Sequence, residues 1–183
     1  MKGIVFNLLE SFVSKNFSEE TWDQIHEESN LRNQDPYVGP GTYEDEDLLE
    51  LVGTSNRILE TPIPKILFLF GRFCFKPMVE TCPQYLKGIN SCADFLMIVD
   101  QVIHVEIQKL MPNAYLPRVI VTKRNNNTLE VRYESKRKLC GFLEGMITGC
   151  AEFFAEEVII DHPICTHDGY DHCLLTLKIT EKL

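Results

Sequence analysis

The chain reads as an α+β fold because its hydrophobic rhythm changes once along 183 residues. As far as Leu110, apolar side chains recur every three to four positions, the spacing of one helical face. From Val119 they alternate in twos, the spacing of a strand. A chain with 44% hydrophobic and 25% charged residues has the composition of an ordinary globular domain. At this length about two-thirds of the unfolded surface can be buried without a disulfide or metal. The expected architecture is a single domain over 1–183. Residues 1–60 form a helical N-terminal subdomain, packed on residues 61–183, which hold further helices and a four-stranded antiparallel sheet.

Ile4, Leu8, Leu9, Phe12 and Val13 line one face of a first helix, and Ser18 ahead of Glu20, Thr21 and Trp22 is the start signal of a second. Residues 35–41, with Pro36, Gly39, Pro40 and Gly41, make a turn-rich connector. Thr42 is then placed to cap a third helix, whose first carboxylates, Glu44, Asp45 and Glu46, suit the positive end of a helix dipole. Pro62 and Pro64 punctuate the next boundary. Residues 65–80 and 93–110 complete the helical half, and Pro112 and Pro117 close it. Val119-Ile120-Val121 and Leu129-Glu130-Val131-Arg132-Tyr133 form a hairpin around Asn125-Asn126-Asn127, a triplet tolerant of positive φ. Residues 138–156 return to helix, and 157–161 and 173–180 supply the second pair of strands.

A formal net charge of −9 argues against a surface that is wholly a footprint for nucleic acid or anionic membrane. The acidity is N-terminal: residues 1–60 hold 13 Asp/Glu against 4 Lys/Arg, and the remainder is balanced. Within the balanced part, Arg118, Lys123, Arg124, Arg132, Lys136, Arg137 and Lys138 outnumber Glu130 and Glu134, an excess suited to a small anion. Glu10 interrupts the N-terminus too early for an export signal, and the most apolar stretch, Ile66 to Phe70, is far short of the roughly 20 residues that span a bilayer. Seven cysteines, an odd number, in a chain with no export signal point to a cytoplasmic protein with reduced thiols, catalytic thiols or metal ligands rather than a disulfide framework.

Three groups of residues could carry chemistry. His104 lies in a helix at the edge of a side marked by Leu96, Val99, Ile103 and Leu110. It is either a satisfied core histidine or an axial ligand to iron or zinc. Tyr133, Ser135 and Arg137 fall on one side of an extended chain, opposite Glu134 and Lys136. They are either two hydroxyls and a guanidinium fork for a carboxylate or phosphate guest, or a polar strand face. Finally, His162-x2-Cys165-x7-Cys173 wraps a short loop that Cys140 could reach from the start of a helix. That makes a Cys₃His set for tetrahedral zinc, with His167 and His172 as competing ligands and plain core cysteines as the alternative.

A mid-helix His104 about thirty residues before Tyr133-x-Ser135-x-Arg137, with Pro117 between them and a start of Met1-Lys2-Gly3-Ile4, resembles the haem nitric oxide/oxygen-binding (H-NOX) domain over the whole chain. The resemblance implies a haem b held between the two halves, with His104 as proximal ligand, Tyr133, Ser135 and Arg137 on the propionates, and Pro117 distorting the porphyrin. It implies a distal wall of Val5, Leu9, Cys74, Met78, Phe142 and Met146. Members that hold oxygen stably carry a distal tyrosine where this chain has Phe142, which cannot donate. NO binds ferrous iron without such a bond, so NO, and also CO, are the expected ligands and a stable oxygen complex is not. The resemblance also implies Zn²⁺ on Cys140, His162, Cys165 and Cys173, with thiolates open to oxidation. Cys82, Cys92 and Cys150 receive no role.

The function this implies is a haem-based NO sensor: NO weakens the iron–His104 bond, the haem relaxes against Pro117, and the two halves rotate. With the sequence ending at Leu183, a separate partner is expected to read the change. The family suggests a histidine kinase or a cyclic-di-GMP-metabolising enzyme, with the acidic N-terminal segment as a candidate contact. A thiol/zinc redox sensor is the alternative. An enzyme is not expected, since Cys₃His leaves zinc no open position and no H-x-E deaminase signature occurs.

Overall fold

The structure, a computed structural model, describes residues 1–125 and 127–181; Asn126 of the expected hairpin triplet lies outside the described residues. The helical half holds α1 (Gly3–Asn16), α2 (Glu19–Glu28), α3 (Asp45–Leu59), α4 (Ile63–Glu80), α5 (Cys92–Ile98), a π-helical turn (Val99–Ile103) and α6 (His104–Leu110). It is followed by β1 (Arg118–Lys123), β2 (Thr128–Glu134), α7 (Cys140–Phe153), β3 (Glu156–Ile164) and β4 (Cys173–Glu181). The four strands form one antiparallel sheet in the order β1-β2-β4-β3. Among the described residues, no helix is long and apolar enough to cross a membrane.

Helix boundaries follow local chemistry. Ser18 caps α2 by accepting the Thr21 N–H at 3.1 Å. Thr42 caps nothing, contrary to the sequence expectation. Its hydroxyl is taken by Lys2 Nζ at 2.8 Å, and α3 begins after Glu44 without a side-chain cap. Lys138 (φ 52°) and Ala155 (φ 57°) adopt left-handed backbone on either side of α7. A helix cannot pass through such residues, so α7 is shorter than the expected 138–156.

Two apolar clusters make the interior. One gathers Phe6, Leu9, Phe12, Trp22, Leu51, Ile66, Phe70 and Cys74 from α1–α4; the other joins Phe75, Phe95 and Ile147 to Val131, Leu175 and Leu177 of the sheet. Met146 on α7 packs against both. Helices α4 and α7 cross where glycines let their backbones touch. A Cβ on Gly71 would stand 2.1 Å from the Phe142 carbonyl oxygen, and one on Gly145 would stand 2.0 Å from that of Phe68.

Candidate functional site

The imidazole of His104 is positioned by a break in helical rhythm. The π-helical turn over Val99–Ile103 inserts extra backbone ahead of α6. The 3.6-residue pattern drawn through Leu96, Val99, Ile103 and Leu110 therefore does not hold: Leu96 is buried, while Leu110 is 77% exposed. The His104 side chain is mostly buried, with Nδ1 3.5 Å from Asp100 Oδ1, the same oxygen that accepts the Val119 N–H at 3.2 Å. Burial lowers the imidazole pKa below its ordinary value, against the opposing pull of Asp100. A neutral ring with Nδ1 facing a carboxylate and Nε2 hydrogen-bonded to no described residue suits a metal ligand. Asp100 has no part in the sequence reading, because the π-helical turn that brings it to His104 has no signature in the apolar spacing.

Tyr133, Ser135 and Arg137 come together differently from the expected extended face. Strand β2 ends at Glu134, and Ser135 to Lys138 form a turn in which Ser135 Oγ accepts the Arg137 N–H at 3.2 Å. Burial pushes the Tyr133 phenol up to about 12, with Ser135 beside it opposing the rise. The Arg137 guanidinium donates from Nε to Asp45 Oδ2 and from Nη1 to the Tyr115 carbonyl, both at 2.7 Å, and lies 4.7 Å from the Tyr115 ring centroid. Its Nη2 has no hydrogen-bond partner among the described residues. Pro117 is half-buried, directly ahead of β1.

Leu9 and Cys74 are fully buried in the N-terminal cluster, and Val5, Met78, Phe142 and Met146 pack against it. The Phe142 ring lies 5.1 Å from that of Phe70. Burial pushes the Cys74 thiol well up, so this wall carries no charge and offers only one weak donor.

One ring nitrogen of His162 and the Sγ atoms of Cys140, Cys165 and Cys173 all lie within 4.8 Å of one another. Cys140 Sγ is 3.7 Å from Cys165 Sγ, close to the roughly 3.8 Å edge of a tetrahedron with 2.3 Å zinc–sulfur bonds. His162 Nε2 is buried with no hydrogen-bond partner among the described residues, while Nδ1 is 2.6 Å from Glu144 Oε1. Burial works against the Cys173 thiolate, but the Thr166 hydroxyl and N–H, with His162, outweigh it and hold the thiol below its ordinary value. The four side chains fit a closed zinc site. The competing histidines are engaged elsewhere, His167 on the Lys138 carbonyl and His172 on Asp171.

The family model for haem-NO-binding (HNOB) domains matches residues 2–162. This chain belongs to the H-NOX family. Solved H-NOX structures share its architecture. The S. oneidensis protein in the Fe(II)NO ligation state is 30% identical, with 99% of this chain and 100% of that one covered and a TM-score of 0.91. The unliganded Fe(II) protein of K. algicida is 26% identical, covering 100% and 98%, at 0.90. An IWP-051-bound Fe(II)CO protein from Shewanella woodyi is 31% identical, covering 97% and 94%, at 0.83. H-NOX domains bind haem and gaseous ligands such as NO and CO, and the family is one of haem-based gas sensors. In this H-NOX chain, a neutral His104 with a free Nε2, and the apolar wall around Phe142, have the chemistry such a group needs.

Proposed function

We propose that this chain is a haem b sensor of nitric oxide, spanning 1–183 as one domain and acting in the cytoplasm rather than as an enzyme. The observation that carries the reading is the imidazole of His104, aligned by Asp100 and left with an unengaged Nε2. Haem would supply a ferrous iron whose open face takes NO or CO.

The chain's own residues divide the remaining work. Asp100 fixes the tautomer by accepting from Nδ1–H, so that Nε2 presents its lone pair, and Val119 N–H anchors that carboxylate to the start of β1. Tyr133, Ser135 and the Nη2 end of Arg137 would hold the propionates, and Pro117 would press on the macrocycle. On the distal side, Val5, Leu9, Cys74, Met78, Phe142 and Met146 exclude water. They offer bound oxygen no strong hydrogen bond, which favours NO. The cluster of Cys140, His162, Cys165 and Cys173 would hold structural Zn²⁺. The output would be read by a separate histidine kinase or cyclic-di-GMP-metabolising enzyme, without nucleic acid or membrane as partner.

The test is an anaerobic absorption spectrum of the ferrous protein, before and after NO and, separately, air. A Soret band that shifts with NO and forms no stable oxygen complex is expected. His104→Gly should lose the proximal bond while keeping its zinc. A protein that takes up no haem under reconstitution overturns the reading. A second reading, a thiol/zinc redox module, is favoured by the 3.7 Å approach of Cys140 and Cys165 sulfurs. It predicts an NO response that His104→Gly leaves intact.

A further inference from the structure

Glu144 belongs to none of the groups that the sequence marks, yet its carboxylate makes a close polar contact to a residue of the Cys₃His cluster. Oε1 lies 2.6 Å from His162 Nδ1, across 18 positions of sequence, with both side chains largely buried. At that separation a carboxylate oxygen can only accept, so Nδ1 carries the proton. The other nitrogen, Nε2, is buried with no hydrogen-bond partner among the described residues, and in the neutral ring it carries the lone pair. An orphaned buried acceptor is costly unless something arrives to use it. The sulfurs of Cys140, Cys165 and Cys173 surround the place where it would be used.

The backbone is built to make this contact. Between Asp161, opposite Thr176, and Ile164, opposite Leu174, strand β3 holds one residue more than its partner, a β-bulge containing His162 and Pro163. A bulge re-aims side chains, and Pro163, which has no N–H to give, suits an edge strand such as β3. Across from it, Cys140 and Glu144 stand one turn apart on α7, so one helix face offers both a sulfur and the carboxylate. Phe142 of the same helix packs instead into the N-terminal cluster, and Met146 packs against both clusters.

We infer that Glu144 is the positioning residue of the metal site: it fixes His162 in the Nδ1–H tautomer and aims Nε2 at zinc, tying a second point of α7 to the β3–β4 hairpin. This rests on the zinc reading of the cluster and adds a residue that touches no metal. Outer-sphere carboxylates of this kind change metal affinity by about 10–100-fold.

The experiment is a zinc competition titration of the full chain against a chromogenic chelator, with Glu144→Ala and Glu144→Gln beside the unmodified protein. Long-range ¹H–¹⁵N spectra of the His162 ring report the tautomer. Glu144→Ala should bind zinc about 10–100-fold more weakly and show a mixed tautomer once stripped of metal, with the same melting temperature as stripped unmodified protein. Glu144→Gln, whose amide oxygen still accepts, should recover the tautomer and part of the affinity. If Glu144→Ala binds zinc as tightly as the unmodified chain with the same ring spectrum, the positioning role is overturned and the zinc site stands. If the unmodified chain binds no zinc, the zinc reading falls and the role of Glu144 falls with it.

Discussion

Asp45 at the start of α3 and Arg137 beyond the end of β2, 92 positions apart, are joined by a hydrogen bond of 2.7 Å from Nε to Oδ2. The side chain of Arg137 is 13% exposed and that of Asp45 38%. Nη1 of the same guanidinium holds the Tyr115 carbonyl, so three separated segments converge on one planar group. Burial raises the Asp45 carboxyl pKa, but the hydrogen bonds and charges of Arg137 and the N-terminal amine outweigh it, and the net shift is downward.

The sign of that shift predicts a pH dependence. A depressed folded-state pKa stabilises the fold above the unfolded value of about 3.9, and the contribution disappears as pH falls through the folded value. Asp45→Asn should therefore be less stable than the unmodified chain near neutrality, by about 0.5–1 kcal/mol, because Asp45 is more than a third exposed and solvent screens the pair. The two should converge below about pH 4. Urea unfolding across that range measures the difference, and a gap that does not narrow in acid shows that the carboxylate charge is not what matters.

At the α4–α7 crossing the packing leaves no room for a single methyl. Gly145 presents no side chain to Phe68, whose carbonyl oxygen occupies the space a Cβ would take. Gly145→Ala must push the helices apart at the point where Met146 bridges both clusters. A cost of about 2–3 kcal/mol is expected for such overpacking, a fall in Tm of roughly 5–10 °C for a chain of this size. Gly53, whose Cβ would meet nothing within 4 Å, is the control, and Gly53→Ala should leave Tm unchanged or raised.

The Cys₃His grouping and the change from helix to strand are legible because residue type, short spacing and periodicity carry them, whereas for His104 the residues leave a core histidine and an axial ligand both open and only the family resemblance chooses between them. The Cys₃His set is complete within 34 residues, and the helical faces of α1 and α4 repeat without interruption. Asp100, Glu144 and Asp45 are ordinary acidic residues in a chain that has 27. Asp45 and Glu144 matter only because folding places them against Arg137 and His162. Asp100 is nearer to its partner, but a π-helical turn sets their approach, and no periodic pattern encodes that turn. For the same reason the expected extended run to Arg137 stops at Glu134: the turn that follows is held by the Ser135 hydroxyl, not by strand pairing.

Phe142 sets the third prediction. Its ring packs against Phe70 at the wall proposed to face the bound gas, with no strong donor among the neighbouring site residues. Phe142→Tyr adds a phenol O–H, which stabilises a partly negative bound oxygen by about 1.5–3 kcal/mol, equivalent to a roughly 10–100-fold slower loss of oxygen. NO, which does not need the bond, should change far less. Absorption spectra of the ferrous variant in air and stopped-flow oxygen release measure this. An unchanged lifetime removes residue 142 from the gas pocket.

The last prediction separates metal from thiol at the hairpin. Cys165 closes the cluster from the loop between β3 and β4, and its sulfur is the one near Cys140 of α7. If zinc joins these elements in the folded state alone, metal at a thousand times its Kd stabilises the chain by about 4 kcal/mol, or roughly 10 °C in Tm. A strong chelator should therefore lower the Tm of the unmodified protein by about that amount. Cys165→Ala should already melt near the chelated value and respond little to the chelator. His104→Gly should keep the full response, because its ring belongs to a separate site. Equal Tm for chelated and untreated unmodified protein would mean that the hairpin is held by its apolar core of Leu175, Leu177 and Ile179 alone.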